Sequence, residues 1–116
     1  MQGFWLSFIV PLGRTKGAVS IVDWLRHEAV RLGVEGLTVS MAEGGYGRDG
    51  EYRSVHFFET GEQPVIVSMA VSRELSETLF TRIRNAGLEI FYTKTPIEYG
   101  VAGADSADSA EAPLSV

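Results

Sequence analysis

The run EGGYGRDG, residues 43–50, holds the chain's most promising chemistry. Glycine reaches φ > 0 without steric cost and lets a ligand approach the main chain, so the amides of Gly44, Gly45 and Gly47 can face a phosphate or the edge of a purine. Arg48 adds a guanidinium suited to charge-assisted hydrogen bonds with an oxyanion, and Tyr46 sits inside the same run. Spacing alone admits a plainer reading, in which GG, GR and DG build turns and Arg48 is solvated. A second basic group, Arg14 and Lys16 in GRTKG, follows the first apolar segment and is either a supply of phosphate-binding bases or a solvated loop. Arg53 and Lys94 are weaker candidates of the same kind.

Other reactive types are sparse. His56 and Glu59 offer a metal two ligands, which make no site unless further donors join them or an oligomer axis repeats them. His27 falls on the polar side of a helical segment. Ser54 and His56 share one face of a short strand without an orienting acid, so no nucleophilic triad forms. Glu43, Asp49, Glu51 and Glu59 cluster around the glycine run, where a general acid and base are conceivable and a solvated acidic loop is simpler. Trp5 and Trp24 could stack on a base, although packing is the usual fate of such residues. The reading is of a protein that is not an enzyme.

The elements that must carry these residues follow from periodicity. Phe4–Val10 is apolar except for Ser7, as a central strand would be, and Pro11 closes it. From Ala18 to Leu32, Ile21, Val22, Leu25, Ala29 and Leu32 recur at helical spacing, with Gly33 as the stop. Leu37, Val39 and Met41 alternate with Thr38 and Ser40 in a strand. Val55–Phe58 and Val65–Val71 read as further strands. Ser72 suits the N-cap of a helix carrying Leu75, Leu79, Phe80 and Ile83, which ends at Asn85 and Gly87. Leu88–Thr95 closes the chain as the last strand. The order is βαββαβ, an α+β, ferredoxin-like plan: a four-stranded antiparallel sheet with both helices on one face. The glycine run lies on the connection between the middle strands. Strand 1 is apolar on both sides, so the uncovered face calls for another subunit.

Composition bounds the partners. The 116 residues carry 10 Lys and Arg against 15 Asp and Glu, a net charge of −5, which disfavours nucleic acid because phosphate neutralisation needs clustered bases. Cysteine is absent, excluding disulfides and thiolate metal sites. No run of about 18 apolar residues suggests membrane insertion. The opening MQGFWLSFIVPLG lacks the basic flank and cleavage site of a secretory signal, and the expected location is cytoplasmic. The expected domain is residues 1–100, with a flexible segment at about 46–63. Beyond Gly100, VAGADSADSAEAPLSV has three acids, no base and no aromatic, the composition of a disordered acidic tail.

GVEGLTVSMAEGGYGRDG resembles the stretch of PII signalling proteins in which a Gly-x-x-Gly-hydrophobic-Thr-Val-Ser/Thr strand runs into a Gly-aromatic-Gly-Arg turn. The matching residues are Gly33, Gly36, Leu37, Thr38, Val39, Ser40, Gly45, Tyr46, Gly47 and Arg48. A proline after strand 1 and a first helix ending in Leu-Gly extend the likeness over most of the chain before the tail. The segment between Arg48 and Pro64 is shorter than a standard T-loop. Asn85–Leu88 is too short for the lysine-bearing phosphate loop, and no basic pair follows the last strand. The likeness is therefore to divergent PII-like proteins, including those encoded beside bicarbonate transporters or carboxysome genes.

The resemblance implies a homotrimer that binds a small anionic effector, an adenine nucleotide such as ADP or AMP together with bicarbonate, in clefts between subunits. No cofactor is implied beyond that effector. Gly45, Gly47 and Arg48 would hold phosphate, Thr38 the base or ribose, and Arg14 and Lys16 would stand in for the missing bases. A T-loop-like segment would then dock on a transporter or enzyme. Two alternatives stay open: a CutA-like trimer for metal tolerance using His56 and nearby carboxylates, and a ligand-free module whose loop adds a strand to a partner.

Overall fold

Leu6, Phe8 and Val10 alternate with Trp5, Ser7 and Ile9 along the first strand, and that alternation organises the fold. The computed structural model describes residues 1–42, 44–46, 52–54 and 63–104, the two short internal ranges as backbone. In it β1 spans Gln2–Pro11. Leu6, Phe8 and Val10 are fully buried, whereas Trp5 and Ile9 are 41% and 37% exposed. One face of the strand thus lies against the core and the other faces outward.

Three more strands complete the main sheet: β4 at Leu37–Met41, β7 at Pro64–Ser72 and β8 at Phe91–Glu98. Two short ladders stand apart from it, one between β2 (Thr15–Lys16) and β3 (Val19–Ser20), the other between β5 (Gly44–Tyr46) and β6 (Tyr52–Ser54). The main sheet has the order β4-β7-β1-β8 and every pairing in it is antiparallel. Helices α1 (Ile21–Leu32) and α2 (Arg73–Asn85) cover the face that carries Leu6, Phe8 and Val10. This is the expected α+β architecture, with two helices over a four-stranded antiparallel sheet.

The helices begin and end where local chemistry stops them. Ser20 Oγ accepts a 3.0 Å bond from the Asp23 amide, and Gly33, at φ 81°, donates its amide to the Ala29 and Val30 carbonyls. That left-handed residue is where glycine is favoured. The expected start of α1 at Ala18 is corrected: Ala18 lies in the turn of the β2–β3 ladder, and the cap at Ser20 delays the helix to Ile21. Ser72 caps α2 as expected, accepting 3.1 Å from the Leu75 amide.

The last strand is also corrected, from Leu88–Thr95 to Phe91–Glu98. Leu88 and Ile90 instead pack half-buried against the core as part of the connection. The strand runs through Pro96 because Met1 and Tyr99 exchange main-chain bonds of 2.8 and 3.0 Å, so odd-numbered residues of β8 bond toward β1 and the Pro96 imide nitrogen faces the free edge. The strand expected at Val55–Phe58 lies outside the described residues, as do residues 105–116 of the expected tail.

The core runs between sheet and helices, from Val65, Val67, Met69 and Val71 on β7 to Leu25 on α1 and Leu79 on α2. Glu28, its side chain only 10% exposed, ties the helices together by accepting 3.1 Å from Arg82 and 3.3 Å from Arg31. Among the described residues, the fully buried Ser76 hydroxyl has no hydrogen-bond partner.

Candidate functional site

The strand registers bring the candidate residues toward one end of the sheet. Pro11 at the end of β1 opposes Pro64 at the start of β7, Met41 at the end of β4 opposes Val65, and β8 begins at Phe91 opposite Ile9. The loop bearing Arg14 and Lys16, the glycine-rich connection and the α2–β8 connection therefore all leave the sheet at this end.

Main-chain bonds stitch that end together. The Leu12 amide donates 2.9 Å to the Gln63 carbonyl, and the Ala42 amide donates 3.0 Å to the Pro64 carbonyl. Arg14 is pinned on both sides, its amide bonded to the Pro11 carbonyl at 3.0 Å and its carbonyl accepting 2.9 Å from Ile21 at the start of α1. Its side chain is half-buried, whereas Lys16 is exposed on β2. Neither side chain makes an ion pair among the described residues, so both cations remain available to an anion.

Gly45 and Tyr46 lie in β5, where Gly45 opposes Arg53 and Tyr46 opposes Tyr52. Gly47 and Arg48 lie outside the described residues, as do His56 and Glu59. Thr38 stands elsewhere. It is exposed on the sheet face away from the helices, opposite Ser68 and about 10 Å along β4 from Met41. The connections that carry Arg14, Lys16, Gly45 and Tyr46 thus leave the sheet at one end, and Thr38 stands apart from that end. Among the described residues no group of three or more His, Asp or Glu residues is placed to hold a metal, and no helix is long and apolar enough to cross a membrane. His27 is exposed on α1.

Two features escape a reading by periodicity. An open groove between the end of α2 and the start of β8 is lined by Phe8, Phe80, Arg84, Leu88, Phe91 and Tyr92 among others. Phe80 and Tyr92 meet edge to face there at 4.6 Å. Farther along β8, the Lys94 ammonium lies 4.1 Å from the centre of the Phe4 ring, with the Arg73 guanidinium 5.9 Å from the same ring. Lys94 is therefore engaged in cation–π contact, beyond the solvated surface charge that its sequence position suggests. The α2–β8 connection, Ala86–Ile90, has no lysine and turns two of its residues, Leu88 and Ile90, into the core, so it offers little to a phosphate.

Sheet order, helix placement and connections define an α+β sandwich with a loop-bearing end. No protein-family model matches the sequence, and no curated protein matches it significantly. The fold does match solved structures. It is similar to CPII, a nitrogen regulatory PII-like protein from Thiomonas intermedia K12 seen bound to ADP, AMP and bicarbonate, at 18% identity over 87% of this chain and 91% of that one, with a TM-score of 0.63. It is likewise similar to a PII-like signalling protein from Thermus thermophilus, at 16% identity, 84% and 88% coverage and a TM-score of 0.60. The chain has the PII-like fold.

Proposed function

We propose that this chain is a PII-like signal-transduction protein: a cytoplasmic, non-enzymatic homotrimer whose clefts between subunits bind an adenine nucleotide such as ADP or AMP, with bicarbonate. The supporting observation is the joint exit of the Arg14–Lys16 loop and the glycine-rich connection at one end of a sheet whose fold is shared with a nucleotide- and bicarbonate-bound protein. Main-chain amides at Gly45 and Gly47 and the guanidinium of Arg48 hold phosphate, and the free cations of Arg14 and Lys16 add to the attraction. Ligand contacts offset the entropy of ordering the segment at about 46–63, and the ordered segment presents or withdraws a surface for a transporter or enzyme.

A thermal-shift screen against AMP, ADP, ATP, bicarbonate and divalent metals tests this. A ligand specific to the native state at a hundred times its dissociation constant stabilises by roughly 2.7 kcal/mol. A rise in midpoint with an adenine nucleotide, deepened by bicarbonate and weakened in Arg48→Ala, is the expected result. A rise with metal alone moves the assignment to metal binding. No response to any nucleotide at millimolar concentration removes the sensor reading.

A further inference from the structure

An unbroken line of side chains runs along the crevice between α2 and β8, from Tyr92 through Phe80, Lys94 and Phe4 to Arg73. Register fixes the side of the sheet it occupies. Tyr92 opposes Phe8, Lys94 opposes the buried Leu6, and Pro96 opposes Phe4, so these β8 residues stand on the helix side. All three are exposed nonetheless, because α2 packs over β1 and β7 and leaves the edge strand uncovered. The Lys94 ammonium lies 4.1 Å from the centre of the Phe4 ring and 5.6 Å from that of Phe80. Arg73, the first residue of α2, reaches the same Phe4 ring at 5.9 Å.

Two cations on one ring repel each other, and no carboxylate stands between them. Neither Arg73 nor Lys94 makes an ion pair among the described residues, although Glu74 follows Arg73 in the helix and Glu98 shares the face of Lys94. The ring attracts both charges, and an anion set against the two would remove the repulsion that is left.

The chain carries such an anion out of the sheet at this same end. Beyond β8, Val101–Ala104 form a tight turn in which the Ala104 amide donates 3.1 Å to the Val101 carbonyl and Gly103 takes φ 85°. The chain is thereby reversed just before its acids. Residues 105–116 hold Asp105, Asp108 and Glu111 and no base, followed by Pro113, Leu114 and Val116. The way back from Glu98 to Tyr92 is about 20 Å at strand spacing, and these residues reach about 40 Å when extended.

We propose that residues 105–116 fold back onto this crevice in the same copy of the chain. Their acids meet Arg73 and Lys94, and Leu114 enters the groove that Phe80, Leu88 and Tyr92 line. Pro96 breaks the donor row on the free edge of β8, so the segment lies over the crevice and adds no fifth strand. Bound there, it withholds two cations from any other anion. Exposed charges attract weakly and are screened by salt, which makes the cover reversible. The proposal stands apart from the nucleotide reading and shares no residue with it.

The test uses the absence of cysteine: Ser109→Cys places a single nitroxide spin label on the otherwise intact chain, observed by amide NMR. Broadening is expected at Arg73, Tyr92 and Lys94 and not at His27 or Val30, exposed on α1. Arg73→Glu/Lys94→Glu, at two exposed positions, loses it, and adding Asp105→Lys/Asp108→Lys/Glu111→Lys to that variant brings it back. In the protein without charge reversal, about 1 M salt, where the Debye length is about 3 Å, also abolishes it. Broadening spread evenly over the surface, or unchanged by charge reversal or by salt, overturns the proposal. So does broadening of the crevice in isotope-labelled copies mixed with spin-labelled ones, because the segment would then be reaching a neighbouring copy.

Discussion

Gly3 is the position where one added carbon has the most calculable cost. It sits in β1 opposite Ser72, and a Cβ built there meets the Val71 carbonyl oxygen in a clash, lies 2.9 Å from the Val71 carbonyl carbon and 2.8 Å from Tyr99 Cε1. The ring of Tyr99 can swing aside; the Val71 carbonyl cannot, being part of the central β1–β7 ladder. Gly3→Ala therefore costs about 2–3 kcal/mol in overpacking. The substitution also stiffens the unfolded chain, which recovers about 0.4–1 kcal/mol, so a net loss near 2 kcal/mol remains. For a domain of this size that lowers the midpoint of thermal unfolding by about 10 °C. The assay is urea and thermal denaturation of wild type, Gly3→Ala and Gly3→Ala/Tyr99→Ala. The double variant recovers only a small part of the loss, because it relieves the movable contact and not the fixed one. A Gly3→Ala midpoint within about 2 °C of wild type, or full rescue by Tyr99→Ala, refutes the reasoning.

Three further perturbations separate local causes. Ser76→Ala removes a buried hydroxyl that has no partner and should raise stability by about 1 kcal/mol, read as a higher urea midpoint at unchanged slope. Gly33→Ala forces a side chain into the left-handed conformation at φ 81°, with open space around it, so it should cost about 1 kcal/mol from the backbone alone. Thr38→Val keeps shape and removes the hydroxyl: a weakened nucleotide response with the fold intact supports the expected contact of Thr38 with the base or ribose, and an unchanged response removes it.

The two helices and the inward residues of β1 and β7 were legible in the sequence because one residue type dominates each buried position: Leu25 and Leu79 recur at helical spacing, and Val65, Val67, Met69 and Val71 alternate. Element ends were less legible. Ala18 and Val19 continue an apolar pattern that suits a helix, yet the Gly17 turn and the Ser20 cap claim them for the β2–β3 ladder. Pro96 argues against a strand by propensity and is admitted because its imide nitrogen faces the free edge. The alignment of Thr38, Ser68, Ser7 and Thr93 across the four strands was invisible for a different reason. Ser7, Thr38, Ser68 and Thr93 are far apart in sequence, each unremarkable in its own strand, and only register sets them side by side.

The stitched end of the sheet constrains how a loop signal can arise. Leu12 to Gln63 and Ala42 to Pro64 are main-chain bonds between segments on either side of the glycine-rich connection, and Pro64 is the first residue of a central strand. A ligand at Gly45 or Arg48, as proposed, would therefore act on a segment whose two feet are already fixed. Its effect would be confined to the span between Ala42 and Gln63, where the β5–β6 ladder has three paired positions among the described residues. Such a short ladder is marginal by itself. On the proposed function, a few new contacts to a bound anion would suffice to shift it, while the sheet stays as it is. Disrupting the feet should uncouple the two: a Gln63→Pro substitution leaves the Gln63 carbonyl in place and retains the bond from Leu12, whereas Leu12→Pro removes that amide and frees one foot. In hydrogen exchange, nucleotide should then protect the 42–63 span in wild type and Gln63→Pro, and protect it less in Leu12→Pro. Equal protection in all three would mean that the feet play no part.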